Sequence, residues 1–87
     1  MFVLLFYDVK EKRVTKALKT CRKYLTWVQN SVFEGELSPA LLKKLKVELE
    51  KRLSEEEDSI IIYTWRSERY TERTIWGVEK GSTTPFI

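Results

Sequence analysis

FVLLFYDV, residues 2–9, is a run of apolar and aromatic side chains that is broken only at Asp8. A continuous run of this kind is typical of a strand buried on both faces. The following residues, 11–25, have helical periodicity. Their apolar side chains fall within one arc, and their lysines fall within a narrow arc on the opposite side of the helix. The apolar arc contains Val14, Ala17, Leu18, Cys21 and Leu25, and the lysine arc contains Lys12, Lys16, Lys19 and Lys23.

The rest of the chain continues this alternation of strands and helices. Residues 27–37, rich in Val, Phe and Trp, predict two short strands or one bent strand. Ser38 followed by Pro39 predicts the start of a second helix, because a hydroxyl caps free amides and proline suits the first helical position. Leucines 42, 45, 49 and 53 form its inward stripe, so the helix is expected to end near Leu53. SIIIYTW, residues 59–65, predicts a further buried strand.

The remaining segments are more polar. We interpret the acidic run at residues 55–58 as a solvated turn without a functional role, and residues 66–73 as a loop. Residues 74–78 predict a short extra strand. Residues 81–84 are expected to be a flexible connector to Pro85, Phe86 and Ile87.

The order β-α-β-β-α-β with an extra C-terminal strand predicts an α+β, ferredoxin-like fold. Right-handed crossovers place both helices on one face of an antiparallel sheet. The other face is left open, and we expect a partner sheet to cover its aromatic side chains, which makes the protein a homodimer. The candidates for that face are Tyr7, Trp27, Phe33, Tyr63 and Trp65. Residues 1–80 form the predicted domain, and residues 81–87 form an extension that pairs with the partner protomer.

Composition limits the classes of protein that remain. Eighty-seven residues make one small domain, and burying apolar area in a dimer would stabilise so short a chain. The single cysteine excludes an intrachain disulfide and fits a reducing compartment. The apolar N-terminus is too short for a signal peptide or a membrane span, so we expect a cytoplasmic protein without membrane contact. Residues 1–30 hold seven Lys and Arg against two acidic residues, which suggests one face for a polyanion.

Most common catalytic chemistries are excluded. The sequence has no histidine, no glycine-rich phosphate loop and no CxxC pair. Histidine-based triads, histidine metal ligands and imidazole acid-base catalysis are therefore ruled out. Cys21 lies on an apolar helical stripe, which favours a core residue over a nucleophile.

Asp8 has two interpretations. It follows five apolar or aromatic residues at the point where a buried strand ends, where an aspartate often bonds nearby backbone amides. Alternatively, it is a Mg²⁺ ligand, since Mg²⁺ is often held by one or two protein carboxylates, with waters and substrate phosphate oxygens completing the shell. Two Asp8 side chains related by a dimer axis would supply two carboxylates. A metal held there could activate water against a phosphodiester.

The lysine face of the first helix also has two interpretations. Lys12, Lys16 and Lys19 form either a solvated face or a surface for sequence-independent phosphate contacts, together with Lys10 and Arg13. Aromatic side chains at strand ends could stack on bases, although such residues more often belong to a core.

Four segments in order, FVLLFYDV, KRVTKALK, WVQNSVFEGEL and DSIIIYTW, resemble the CRISPR-associated protein two family, the small subunit of the spacer-acquisition complex. The resemblance spans nearly the whole chain. It implies a ferredoxin-like homodimer whose C-terminal strands pair with the neighbouring protomer. It also implies a complex with the CRISPR integrase, called protein one, and in some members a Mg²⁺-dependent nuclease acting on RNA or DNA.

Carried over by residue, the resemblance makes Asp8 the catalytic metal ligand at the dimer axis and Tyr7 its neighbour. Arg13 would lie near substrate, and Ser31 and Phe33 fall in a second motif. With Tyr7 they are the further residues that the resemblance predicts to contact nucleic acid. Glu11 and Trp27 stand where some members carry arginine, which weakens the case for strong nuclease activity.

Three hypotheses remain after the resemblance is included. They are a DNA-bridging scaffold for the integrase, a Mg²⁺-dependent phosphodiesterase centred on paired Asp8, and a toxin-type endoribonuclease related to virulence-associated protein D. The substrate would be DNA or single-stranded RNA.

Overall fold

A computed structural model describes residues 1–67 and 70–78. It contains five strands and two helices in the predicted order: β1 (Phe2–Asp8), α1 (Glu11–Arg22), β2 (Thr26–Gln29), β3 (Val32–Glu36), α2 (Pro39–Arg52), β4 (Ser59–Ser67) and β5 (Tyr70–Gly77). All strand pairs are antiparallel, and the sheet order is β2-β3-β1-β4-β5. The α+β, ferredoxin-like fold is therefore confirmed. The predicted extension at residues 81–87 lies outside the described residues.

Two of the predicted element boundaries are wrong. Helix α1 ends at Arg22, three residues early, and the chain reaches β2 through a short turn. Residues 66–73 are not simply a loop, because β4 continues to Ser67 and β5 begins at Tyr70. The polar residues of this hairpin pair through their backbones, with Thr64 opposite Glu72 and Trp65 opposite Thr71. Backbone pairing stabilises these strands, and their exposed side chains explain the polar sequence.

The core lies between the sheet and the two helices. Alternate residues of β1 point into it, namely Val3, Leu5 and Tyr7. Helix α1 contributes Ala17 and Cys21, whereas Val14, which the sequence places in the same arc, is substantially exposed. Burial raises the pKa of the Cys21 thiol to about 12. A thiol protonated at neutral pH is a poor nucleophile, in agreement with a core role. Helix α2 contributes the inward leucines, Leu42, Leu45 and Leu49.

The opposite sheet face is not covered by either helix, and its aromatic residues differ from the predicted set. Tyr7 and Phe33 lie on the helical side, where their rings stack at a centroid distance of 6.0 Å. Trp27, also predicted for the open face, pairs with Phe33 and so shares the helical side. The open face instead carries Phe2, Phe6, Tyr63 and Trp65. Directly paired residues of an antiparallel sheet share a face, and Phe2 pairs with Trp65. The ring centroids of neighbouring members of this cluster lie 5.7–6.2 Å apart.

Gly77 closes the sheet at the end of β5. Its φ of +88° is a left-handed conformation that favours glycine, and a Cβ there would lie 1.9 Å from the carbonyl oxygen of Asp58. This close approach lets the Val78 amide donate to the same oxygen at 2.9 Å.

No helix in the described part of the chain is long and apolar enough to cross a membrane.

Candidate nucleic-acid and metal site

Three of the predicted site residues meet at the end of β1. Asp8 is exposed, is the last residue of the strand and lies opposite Ser59 of β4. Its parity along β1 places it on the open face with Phe6. The Tyr7 amide donates to the Ser31 carbonyl at 3.1 Å, which ties the strand end to the β2–β3 turn. Tyr7, Asp8 and Ser31 all line an open hollow at this edge.

The Asp8 carboxylate is the type of ligand that Mg²⁺ prefers, but it supplies only part of the oxygen shell of the ion. Mg²⁺ prefers hard oxygen ligands and takes six of them. Among residues 1–67 and 70–78, no group of three or more His, Cys, Asp or Glu side chains could hold a metal ion. Asp8 is the residue that would hold the ion, and a second copy of the chain and a substrate phosphate would supply further oxygens.

The backbone of Lys10, two residues after Asp8, is anchored by the side chain of Asp58. This side chain is 0% exposed, and its Oδ1 accepts a hydrogen bond from the Lys10 amide at 2.9 Å. Its Oδ2 accepts from the Ser54 amide at 2.8 Å and from Nε of Arg13 at 2.5 Å. Lys10 is the N-cap of α1 and makes no side-chain cap of its own. Asp58 thus connects the starts of α1 and β4 with the segment after α2.

The electrostatics of Asp58 follow from these contacts. Burial alone raises the pKa of a carboxyl group, but the hydrogen bonds from Arg13 and from the Ser54 and Lys10 amides outweigh it. The pKa of Asp58 is lowered from 3.8 to about 2. The interpretation of residues 55–58 as a solvated turn is therefore wrong for Asp58, since a charged group with this many donors is an internal anchor.

Arg13 is engaged by the same anchor. Its Nη2 contacts Asp58 Oδ1 and Glu57 Oε1, each at 3.1 Å, and its side chain is only 12% exposed. The hydrogen bond to buried Asp58, ahead of the smaller opposing effect of desolvation, raises the pKa of Arg13. The guanidinium holds the turn after β1 together rather than extending into solvent. Its predicted substrate contact has no support from this geometry.

Phe33 is likewise placed differently from its predicted role in nucleic-acid contact. The ring is 0% exposed and belongs to the core, so it cannot stack on a base without unfolding. Its function in this protomer is to pack under Tyr7, whose backbone leads directly to Asp8.

The predicted lysine face is fully available to solvent. Lys12, Lys16 and Lys19 are all exposed, as is Lys10. The sequence pattern of α1 did not reveal that α2 adds to this charge. Together the two helices hold ten of the 16 Lys and Arg residues but three of the 13 Asp and Glu residues. The helical layer is therefore strongly basic, while the sheet and connections are acidic.

The molecule thus defines a class: a ferredoxin-like domain with a basic helical layer, an open aromatic sheet face and an exposed carboxylate at the end of its first strand. The family model described as CRISPR associated protein Cas2 matches residues 1–73. The chain is 53% identical over 81 residues to the CRISPR-associated endoribonuclease Cas2 of Thermotoga maritima, covering 93% of each chain. It is 51% identical over 80 residues to the protein of that name from Dictyoglomus turgidum, covering 92% of each.

Solved structures agree with these relatives. A Cas2 crystal structure matches with a TM-score of 0.74 at 38% identity, covering 100% of this chain and 98% of the other. Streptococcus pyogenes Cas2 at pH 6.5 matches with a TM-score of 0.69 at 38% identity, covering 75% of this chain and 86% of the other. The chain belongs to the CRISPR-associated protein Cas2 family.

Proposed function

We propose that this chain is a cytoplasmic, homodimeric nucleic-acid-binding protein of CRISPR adaptation that positions DNA for the CRISPR integrase. The observation that carries the proposal is the exposed lysine face of α1 within a basic helical layer. Mobile ammonium groups on one side of a helix suit contacts with phosphates that do not depend on sequence. The integrase partner rests on family membership together with the resemblance.

The proposal predicts binding that depends on salt through α1. Replacing Lys12, Lys16 and Lys19 with glutamine should flatten the slope of log K against log[salt] by about 0.9 for each duplex phosphate that the variant no longer neutralises. The measurement is fluorescence anisotropy with unrelated duplexes over a series of salt concentrations. The control replaces Lys44, Lys51 and Arg52 of α2, which removes the same charge from another helix. If the α1 variant still binds with the slope of the unsubstituted protein, α1 is only a solvated face.

Homodimer formation is proposed from the open sheet face. Phe2 is 37% exposed, and Leu4, Phe6 and Trp65 are half-buried beside it. An apolar surface of this kind on a small protein marks an interaction site, and a second copy offers a matching face. Stacking two such faces would also bring the two Asp8 carboxylates to the same interface.

The dimer is tested by placing a charge on that face. Leu4→Glu should convert a micromolar dimer into a monomer, because burying two unpaired carboxylates in an apolar interface is costly. Light scattering coupled to size-exclusion chromatography gives the mass. Val47→Glu is the matched control, since Val47 is 41% exposed on α2 and lies away from the sheet. A monomeric unsubstituted chain at micromolar concentration would refute the dimer and the shared metal site.

A second candidate function is Mg²⁺-dependent cleavage of RNA or DNA. It is favoured by the exposure of Asp8 at the strand end and by the names of relatives, which are called endoribonucleases. Asp8 and its copy in the partner would hold the metal, and the bound ion would supply an activated water and neutralise phosphate charge. Asp58 and Arg13 would hold the Asp8 segment in place.

A further inference from the structure

A hollow with cationic side chains at its rim separates α2 from the β4–β5 hairpin at the end of the sheet opposite to Asp8. On the helical side of β4, buried Ile60 and Ile62 are followed at the same parity by Thr64 and Arg66. On β5, the corresponding residues change from Trp76 to Thr74 and Glu72. The apolar core therefore stops before the hairpin does. The space left under α2 is about 300 Å³, at the small end of the range for ligand sites.

Three cationic side chains line this hollow beside Met1, whose ammonium group pairs with Glu36. Lys43 and Lys46 lie one turn apart on α2, and Arg66 extends from β4. Within residues 1–67 and 70–78, none of the three forms an ion pair. Glu72 is the one acidic residue among the described residues of the lining. An anion that binds in the hollow would interact favourably with all three cations.

The remaining lining indicates which anion fits. Thr64 and Thr74 supply hydroxyl groups, which donate to phosphate oxygens, and Arg66 can bind two such oxygens at once. Leu42 and Pro39 supply an apolar wall suited to a sugar or base. The hollow also lies beside the start of α2, where the helix dipole favours negative charge.

We propose that this hollow is a nucleotide subsite, in which Lys43, Lys46 and Arg66 hold the phosphate of one nucleotide of a bound strand. Strand β1 separates it from Asp8 by about 20 Å, because each of the six steps from Phe2 to Asp8 rises about 3.3 Å. The subsite is therefore distinct from the strand-end site. It deepens the proposed function and rests on it, since the nucleotide is part of the nucleic acid that the basic helical layer binds.

The test compares two variants with the same loss of charge. Lys43→Gln with Lys46→Gln removes the cations of the hollow, whereas Lys44→Gln with Lys51→Gln removes two cations from the outer side of α2. Binding of a short single-stranded oligonucleotide carrying a 5′-phosphate is measured by anisotropy, and folding is checked by thermal melting. The hollow variant should bind about tenfold more weakly and the outer variant no more than about threefold more weakly, because the outer lysines act only through general charge. Arg66→Gln provides a second variant on a different element.

The outcomes separate this inference from the proposed function. If the unsubstituted protein binds the oligonucleotide and the hollow and outer variants weaken equally, the subsite is wrong while the proposed function stands. If the unsubstituted protein binds no nucleic acid, the proposed function fails. The subsite is then tested alone by NMR titration with a mononucleotide, and it is overturned if the amide signals of Thr64 and Thr74 do not move. If an acidic peptide displaces the bound oligonucleotide and a mononucleotide does not, the hollow binds a protein segment and the nucleotide proposal is overturned.

Discussion

Asp58→Asn should destabilise the fold by about 3 kcal/mol, because removing the buried partner of the ion pair leaves Arg13 with only the exposed Glu57 as a counter-charge. The substitution also weakens the acceptors for the Lys10 and Ser54 amides. Urea unfolding monitored by tryptophan fluorescence gives the free energy of unfolding. Glu57→Gln is the matched control, since Glu57 contacts the same guanidinium from an exposed position and should cost no more than about 1 kcal/mol.

The same anchor predicts how stability depends on pH. The pKa of Asp58 in the folded protein, about 2, lies below the ordinary 3.8, so the unfolded chain binds the proton more tightly. The contribution of Asp58 is therefore present at neutral pH and is lost as the pH falls from about 4 towards 2. Asp58→Asn should reduce this acid dependence. If the Asp58→Asn protein is as stable as the unsubstituted protein and its acid transition is unchanged, Asp58 is not an anchor of the fold.

Asp8→Asn separates cleavage from scaffolding. The change is nearly isosteric at an exposed position, so folding should be preserved while the charge that would hold Mg²⁺ is lost. If the chain cleaves nucleic acid with Mg²⁺, the rate should fall by several powers of ten, because the metal-activated water is lost. Nucleic-acid binding should persist, since the α1 lysines do not depend on Asp8. Cleavage of labelled RNA and DNA, and integration in the presence of the integrase, are measured on the same purified variant.

Glu34→Gln is the control for Asp8→Asn. Glu34 pairs with Leu4 across the β1–β3 ladder and so lies on the same open face, and it also carries one carboxylate. Cleavage that survives Asp8→Asn, or that is lost equally in Glu34→Gln, would exclude Asp8 as the metal ligand. Loss of integration by Asp8→Asn with DNA and integrase binding intact would make the metal site central and the scaffold hypothesis wrong.

The order of elements could be predicted because most segments carry a strong local signal. Ser38 and Pro39 mark the start of α2 at the predicted residue, and the Ser38 side chain accepts from the Leu41 amide at 3.2 Å. The orientation of β1 could not be predicted in the same way. FVLLFY has no alternation of polar and apolar residues, so the sequence does not reveal that Tyr7 points to the helices and Phe6 to the open face.

The anchor of the site was missed for a different reason. Asp58 lies 45 residues from Arg13 in sequence, and no local pattern connects two such positions. A usable signal was present, however, because Asp58 adjoins a buried strand as Asp8 does. Its position at the end of an acidic run concealed it. The polar hairpin was missed because backbone pairing, which any side chain permits, decides its structure.

The uneven distribution of charge affects how the molecule is oriented while it diffuses towards a polyanion. Helices α1 and α2 hold a net charge of +7, and the rest of the chain holds −4. Each copy of the chain is therefore an electric dipole whose positive end is the helical layer. In the field of a polyanion such a dipole experiences a torque that turns the helices forward during diffusion. In a dimer joined through its sheets the two dipoles oppose each other, so that each outer side presents a basic helical layer to the polyanion.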